Sequence, residues 1–377
     1  MSLPRVVVCG TRFGRVYLSA FRDPDLPFEL AGILARGGER SARCARHYGV
    51  PLFTDPGRLP ADIDIACVVV SGAINGGPGA ALAQQLMDRG LHVLQEHQLD
   101  EAELAQCLRV AKRNRVAYHL NTLYVHIDPV LRFIAAAREV LRQSPLLYIE
   151  ASASFPVTYS LLDILGQAVN KIRPWSFETG PPTEAEHQTA TRLDVPFRTI
   201  EGVLAGVPFT LRLQRQMDAG DPENHAHLFH RITLGTEAGA LMLVNTHGPV
   251  LWSPRPRLPA ELDDTIEPQE ATTGYLRYPS TVPIGPAQAP DYQHIMGTMW
   301  PAGVGRALSG LHRAAIDGDD CLNTGQYQLA ITRCFRDVTV SAGPLDLRRR
   351  PYYTPLPADA LIEAAERGLA GERQAVR

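Results

Sequence analysis

Along the first third of the chain, short β-rich runs alternate with helix-length segments in which apolar residues recur every three or four positions. Val6-Val7-Val8-Cys9 reads as a buried strand, followed by a glycine-bearing turn and a helix over residues 15–22. Residues 28–34 predict a second strand, 41–47 a helix ending before Gly49, and 65–70 a further buried strand. Over 78–89, Leu82 and Leu86 lie one turn apart and Gly90 closes the helix. His92-Val93-Leu94 is the next strand. Asp100, with Glu103 three residues on, has the form of a capping box, and Leu104, Cys107, Leu108 and Ala111 follow at helical spacing. A strand over 116–121 ends the series. Five or six strand–helix units in about 125 residues match the size of a Rossmann domain, a parallel sheet covered by helices.

Beyond Pro129 the periodicity changes. Val130, Ile134, Ala137 and Leu141 share one side of a helix, 146–154 reads as a strand, and 160–169 as a second helix. Long alternating runs follow: 198–217 turns near Gly206, and 230–252 turns near Glu237-Ala238-Gly239, as antiparallel hairpins do. A proline-rich stretch, 253–290, reads as a long irregular connection of the kind that often carries binding function. A helix over 303–316 and a segment over 325–340 complete this half. The expected architecture is therefore α/β: an N-terminal Rossmann domain over residues 1–125, then a C-terminal α+β domain over 126–377 with a large antiparallel sheet.

Composition narrows the partners. With 37 basic against 40 acidic residues the chain offers no large positive field, which excludes nucleic acid as an expected partner. The six cysteines are scattered, form no C-x-x-C pair, and read as small core residues of a reducing compartment. No apolar run approaches the roughly 18 residues of a membrane span, so a cytoplasmic protein that avoids membranes is expected.

The first candidate site is the turn Gly10-Thr11-Arg12-Phe13-Gly14. Glycine at a strand-to-helix junction lets the backbone turn tightly and a pyrophosphate approach the amides. The spacing is G-x-x-x-G, one residue short of the common dinucleotide fingerprint, with Arg12 where a middle glycine would fall. At the end of the second strand, an NAD-type site carries an acid for the ribose hydroxyls. Here Ala35 and Arg36 stand instead, with Arg40, Ser41 and Arg43 beyond, and a guanidinium can hold a 2′-phosphate in two bonds. NADPH is the expected cofactor.

After the strand His92 to Leu94 the chain reads Gln95-Glu96-His97-Gln98. Here it resembles the glucose–fructose oxidoreductase, inositol dehydrogenase and rhizopine-catabolism oxidoreductases, whose corresponding strand ends in Glu-Lys-Pro. His97 replaces the lysine that assists proton transfer, and Gln98 replaces the proline. Cys-Gly-Thr-x-Phe-Gly at 9–14, Gly-Ile-Leu-Ala-Arg-Gly at 32–37, Leu-Gln-Glu-His at 94–97, Asn-Thr-Leu-Tyr at 121–124 and Tyr159-Ser160-Leu161-Leu162-Asp163 are similar to one branch of that group. That branch is the thiazolinyl imine reductases of siderophore biosynthesis of the pyochelin and yersiniabactin type.

The resemblance implies reduction of a thiazoline C=N bond to a thiazolidine on a substrate tethered to a carrier domain of a nonribosomal peptide synthetase. It also implies a homodimer built through the C-terminal sheet. The chemistry needs hydride at the imine carbon and an acid within reach of the ring nitrogen. Tyr124 is the preferred donor by resemblance, with His97 its partner or the alternate donor; His126 ranks lower. Asp163 is expected either to orient the donor or to cap or face solvent. Glu96 and His97 join the cofactor-contacting set. Two alternatives stand beside this reading: an NADP-dependent sugar or polyol dehydrogenase, and a dinucleotide-sensing regulator without activity.

Other features are given bland readings. His225, His227 and His230 form H-A-H-x-x-H, but no acidic or cysteine partner is near and no metal is expected. Arg348-Arg349-Arg350 reads as a solvated cluster, and Trp175, Trp252 and Trp300 as core residues.

Overall fold

The computed structural model describes residues 3–72, 77–179, 196–218, 220, 226–256, 277–317, 321–349 and 354–375. Six strands form the first sheet: β1 (Arg5–Cys9), β2 (Glu29–Leu34), β3 (Leu52–Phe53), β4 (Ile65–Val68), β5 (His92–Glu96) and β6 (Tyr118–Asn121). Between them run α1 (Gly14–Ala20), α2 (Glu39–Tyr48), α3 (Gly79–Asp88) and α4 (Glu101–Asn114). Val6 to Cys9 and Ile65 to Val68 are fully buried because a parallel sheet is covered on both faces. The capping box is formed: Asp100 Oδ1 accepts from the Glu103 amide at 2.7 Å. All pairings are parallel, in the order β3-β2-β1-β4-β5-β6. The order reverses between β1 and β4, which opens a crevice at their carboxyl ends.

The second sheet follows α5 (Asp128–Gln143) and contains β7 (Leu146–Ser154), then, after α6 (Thr158–Ala168), β8 (Trp175–Thr179), β9 (Phe197–Leu204) and β10 (Val207–Gln214). A short β11 (Gln216–Met217) lies outside it. The sheet continues with β12 (His230–Thr236), β13 (Gly239–Leu243), β14 (Val250–Pro254) and β15 (Val282–Pro283). The order is β15-β14-β13-β12-β7-β10-β9-β8. The sheet is mostly antiparallel, with one correction to the sequence reading: central β7 and β10 pair in parallel. Alternation along a strand reports which face is buried and says nothing of a neighbour's direction. The return through α6, β8 and β9 sets that direction. Ile149, Ala151, Phe209, Leu211, Ile232 and Leu234 face the core, while Tyr148, Glu150, Arg212 and Arg231 line an exposed face.

The run 230–252 holds three strands rather than one hairpin. Of the proline-rich stretch, 253–256 and 277–290 are described and contribute β15; the remainder lies outside the described residues. Two long helices follow, α7 (Trp300–Asp317) and α8 (Cys321–Ala342). Val304, Ala307, Leu308 and Leu311 of α7 belong to the same buried cluster as Val6, Val8, Tyr17 and Leu18.

Met1–Arg215 with Ala226–Pro344 forms one compact unit, which holds both sheets, and Gln216–His225 with Leu345–Arg377 forms a second. In the second, β11 pairs in parallel with β16 (Asp346–Leu347), and α9 (Ala358–Ala375) exposes Leu361, Ile362 and Leu369. Cys9, Cys67, Cys107 and Cys334 are free and buried and Cys44 is free and half-buried; Cys321 lies among residues whose side chains are not described. Among the described residues no helix is long and apolar enough to cross a membrane.

Candidate active site

Where β1 ends, Gly10 adopts φ +96°, and a Cβ there would lie 2.5 Å from the Val69 carbonyl oxygen. Only glycine fits that floor. Gly14 opens α1 with ordinary space around it, so its requirement is weaker. Thr11 and Phe13 are half-buried and Arg12 is exposed. At the end of β2, Ala35 is half-buried, and Arg36, Arg40 and Arg43 are exposed without an ion-pair partner among the described residues. Ser41 is buried, and its hydroxyl donates to the Gly38 carbonyl at 2.6 Å, which turns it into the first turn of α2. A glycine floor at the sheet's switch point, bordered by guanidinium groups and no carboxylate over residues 33–38, fits a dinucleotide.

Glu96 and His97 end β5. The Glu96 carboxylate accepts from the Tyr17 hydroxyl through Oε2, and its Oε1 lies 3.0 Å from His97 Nδ1. That nitrogen also faces the Asn121 carbonyl at 3.2 Å. Two acceptors fix a proton on Nδ1 and leave Nε2 without a partner among the described residues. The ring stacks on Tyr159 at 5.4 Å between centroids. Asn121 donates to the Tyr17 oxygen at 2.6 Å and receives the Leu123 amide at 3.3 Å, so α1, β5 and β6 are held in one network. Burial first, then the charge of Glu96, pushes the Tyr17 phenol up. Gln98 sits where the resemblance expects proline; the His97–Gln98 peptide is cis, and the Gln98 amide donates to the Pro156 carbonyl at 3.1 Å.

Tyr124 lies just beyond β6, after Leu123 in left-handed backbone (φ +50°). Its ring is enclosed by His230 at 5.0 Å, Phe229 at 6.1 Å and Trp300 at 6.2 Å. The hydroxyl makes no hydrogen bond with any described residue. Burial, and secondly the charge of Glu96, raises its pKa, so the phenol keeps its proton through the neutral range. A desolvated, protonated, uncommitted O–H at the carboxyl edge of a Rossmann sheet is suited to donate to a bound ligand.

Asp163 of α6 neither caps its helix nor faces solvent. Its Oδ2 accepts from Thr122 at 2.6 Å, and its Oδ1 from Tyr327 at 2.8 Å and Gln167 at 3.0 Å. Three donors leave it little capacity for a ligand. It acts on Tyr124 only through Thr122, two residues earlier. His126 is pushed down to about 4, chiefly by burial.

Trp300 is not a plain core residue. Its ring also packs 6.2 Å from Phe13, so the late helix α7 carries a wall shared by the glycine turn and Tyr124. Sequence reading missed this role, and it also missed Tyr17, whose Phe13-x-x-x-Tyr17 spacing on α1 was the available signal. In the H-A-H-x-x-H run, His230 is buried among Ser160, Val157 and Thr246, each 2.9 Å from a ring nitrogen, and burial pushes it down to about 3. His227 packs on Phe197, and His225 lies outside the described residues. No cluster of metal-ligating side chains occurs among the described residues.

Residues 4–122 match the oxidoreductase family with the NAD-binding Rossmann fold, and residues 144–253 match the C-terminal family of Irp3-like thiazolinyl imine reductases. The group recognised in the sequence is thereby borne out. A comparison with curated proteins gives no match. Among solved structures, UDP-N-acetylglucosamine 3-dehydrogenase GnnA from Acidithiobacillus ferrooxidans aligns with a TM-score of 0.60 at 15% identity, over 90% of this chain and 98% of that one. A mutant of KijD10, a 3-ketoreductase from Actinomadura kijaniata in complex with TDP-benzene and NADP, aligns at 0.61 and 15%, over 94% and 100%. GenD2 from gentamicin A biosynthesis, in complex with NAD, aligns at 0.58 and 14%, over 91% and 95%. At these identities the likeness is one of fold. The chain is an oxidoreductase of this group, with an NAD(P)-binding Rossmann domain and an Irp3-like C-terminal domain.

Proposed function

We propose that this oxidoreductase uses NADPH to reduce a thiazoline C=N bond to a thiazolidine, on a siderophore intermediate tethered to a carrier domain of a nonribosomal peptide synthetase. The observation that carries the reading is the Tyr124 hydroxyl, protonated, enclosed by aromatic rings and without a partner among the described residues, in a chain matching the Irp3-like family. When bound across the Gly10–Gly14 turn, with Arg36 on its 2′-phosphate, NADPH supplies hydride to the imine carbon. The ring nitrogen then needs a proton, and Tyr124 gives it. A nitrogen anion is far more basic than a phenolate, so transfer is downhill even from a phenol raised by burial. His97, its Nδ1 anchored by Glu96 and Asn121, presents Nε2 as a partner that accepts in the neutral ring and serves as the alternate donor only when the ring is an imidazolium.

The same site is poorly suited to oxidising a sugar alcohol. That reaction needs a base in place of the family's lysine, and the desolvated Tyr124 phenol near Glu96 resists ionisation, which leaves the task to His97. Asp163 serves as a positioning residue, holding the Thr122–Tyr124 turn. A second copy of the chain covers the exposed face around Tyr148 and Arg212 in this proposal.

The test is NADPH oxidation with a synthetic 2-substituted thiazoline thioester, compared with sugar ketones. Turnover on the thiazoline that collapses in Tyr124→Phe is expected. Turnover confined to sugar ketones would overturn the reading in favour of a sugar or polyol dehydrogenase; binding of NADPH with no turnover on either would favour a sensor.

A further inference from the structure

Beside Trp300 lies a cleft of about 400 Å³ that none of the site's chemistry uses. Pro129, Pro249, Val250, Ile284 and Met299 line it together with the polar Asp128, Arg132, His247, Gln288 and His294. One polar group stands out. His247 lines the cleft and is only 4% exposed, and its Nε2 accepts the indole N–H of Trp300 at 3.1 Å. That bond fixes the ring proton on Nδ1. The resulting N–H finds no acceptor among the described residues. Burial pushes the ring down to about 4, so it is the neutral tautomer that offers this donor at neutral pH.

A cleft whose buried wall combines aliphatic surface with one committed donor, while Arg132, Gln288 and His294 are exposed, selects its ligand. An N–H that opens onto a cleft, on a side chain otherwise buried, is available to an acceptor brought by a ligand. A polyol is a poor candidate, because most of its hydroxyls would be desolvated against proline and aliphatic surface. A cation is disfavoured as well, since Asp128, the only acid lining the cleft among the described residues, is held by Arg306 at 2.5 Å and approached by Arg132 at 3.9 Å. An uncharged aliphatic chain bearing carbonyl groups satisfies both the walls and the donor. Trp300 stands between this cleft and the reaction centre: the same indole packs on His247 at 5.9 Å and on Tyr124 at 6.2 Å.

We propose that the cleft binds the arm of the substrate leading away from the reacting ring, an uncharged chain with amide or thioester carbonyls, one of which accepts from His247 Nδ1–H. The identification of that arm rests on the tethered-thiazoline reading above; the binding chemistry does not.

The experiment uses S-acetylpantetheine as a non-reacting probe, titrated calorimetrically into the full-length protein. Saturable binding is expected. Ala289→Trp, on an exposed loop lining the cleft, fills the space without touching the core and should weaken binding more than 10-fold. His247→Phe should weaken it roughly 3- to 10-fold through loss of one hydrogen bond. His247→Gln, which can both accept from the indole and donate, should restore most of it. No binding to the wild-type protein, or equal binding to Ala289→Trp, overturns the proposal. The two readings fail separately. Probe binding that Ala289→Trp abolishes, in a protein that reduces no thiazoline, upholds the cleft and sinks the reductase. Reduction of a thiazoline thioester that Ala289→Trp leaves untouched does the reverse.

Discussion

Removing one oxygen atom from Tyr124 separates its chemistry from its packing. In Tyr124→Phe the ring keeps its contacts with His230, Phe229 and Trp300, and no hydrogen bond is lost, because the hydroxyl makes none with any described residue. Folding stability should therefore stay within about 0.5 kcal/mol of the parent, the range typical of substitutions that break no named interaction. The rate should not. A positioned general acid contributes roughly 100- to 10,000-fold, about 2.7–5.4 kcal/mol of barrier. Single-turnover NADPH oxidation on a thiazoline thioester, with NADPH affinity and thermal melting measured in parallel, isolates the step. Because burial raises the phenol above its ordinary value of 10.0, the parent rate should not fall through Tyr124 ionisation as pH rises from 7 to 10. A Tyr124→Phe rate within about threefold of the parent, with intact folding and cofactor affinity, would refute the donor role; the next variant is then His97→Ala.

The other predictions follow from partners and charges. Arg36→Asp should weaken NADPH binding about 10- to 100-fold and spare NADH, since it removes charge-assisted bonds and adds a like charge; an unchanged preference ratio would sink that assignment. Tyr327→Phe deletes a 2.8 Å bond to the Asp163 carboxylate and should cost about 1.5–3 kcal/mol in denaturant unfolding without moving the pH profile of kcat, as a positioning role requires. His230 and His247 have folded values depressed to about 3 and about 4 from 6.5. Their unfolded forms bind more protons below 6.5, so stability present above that pH is lost as pH falls towards 4, at up to about 1.4 kcal/mol per pH unit for each group. A melting temperature flat from pH 7 to 4.5 would contradict the buried, neutral assignment. Light scattering should give twice the 41.3 kDa chain mass, and a monomer at micromolar concentration would remove the sheet-face dimer.

Local chemistry made much of this legible from the residues. The Asp100–Glu103 box, the glycine stops at Gly49 and Gly90, and the bounds of β7 depend on nearest neighbours in sequence. The parallel pairing of β7 with β10 depends on a path of more than fifty residues, to which alternation is blind. Tyr124 and His97 were visible because each follows a strand at the same sheet edge. Tyr17 was not, since its role is defined by Glu96, 79 positions away. Trp300 was misread for a related reason: an aromatic at a helix start has the same pattern whether it packs into a core or walls a site. Asp163 was left between orienting, capping and exposure because all three accept donors; only the positions of Thr122 and Tyr327 decide.

The placement of α7 reaches into how the protein is made. Val304, Leu308 and Leu311 lie in one buried cluster with Val6 and Leu18, about 300 positions upstream. A ribosome releases the N-terminal segment long before that cover exists, so the nascent chain carries an open apolar face until more than four-fifths of it has been synthesised. A fragment ending at residue 125 should accordingly collect in inclusion bodies, and the dinucleotide should load only after translation has passed α7. Early termination would then yield debris for the proteases and no half-active enzyme.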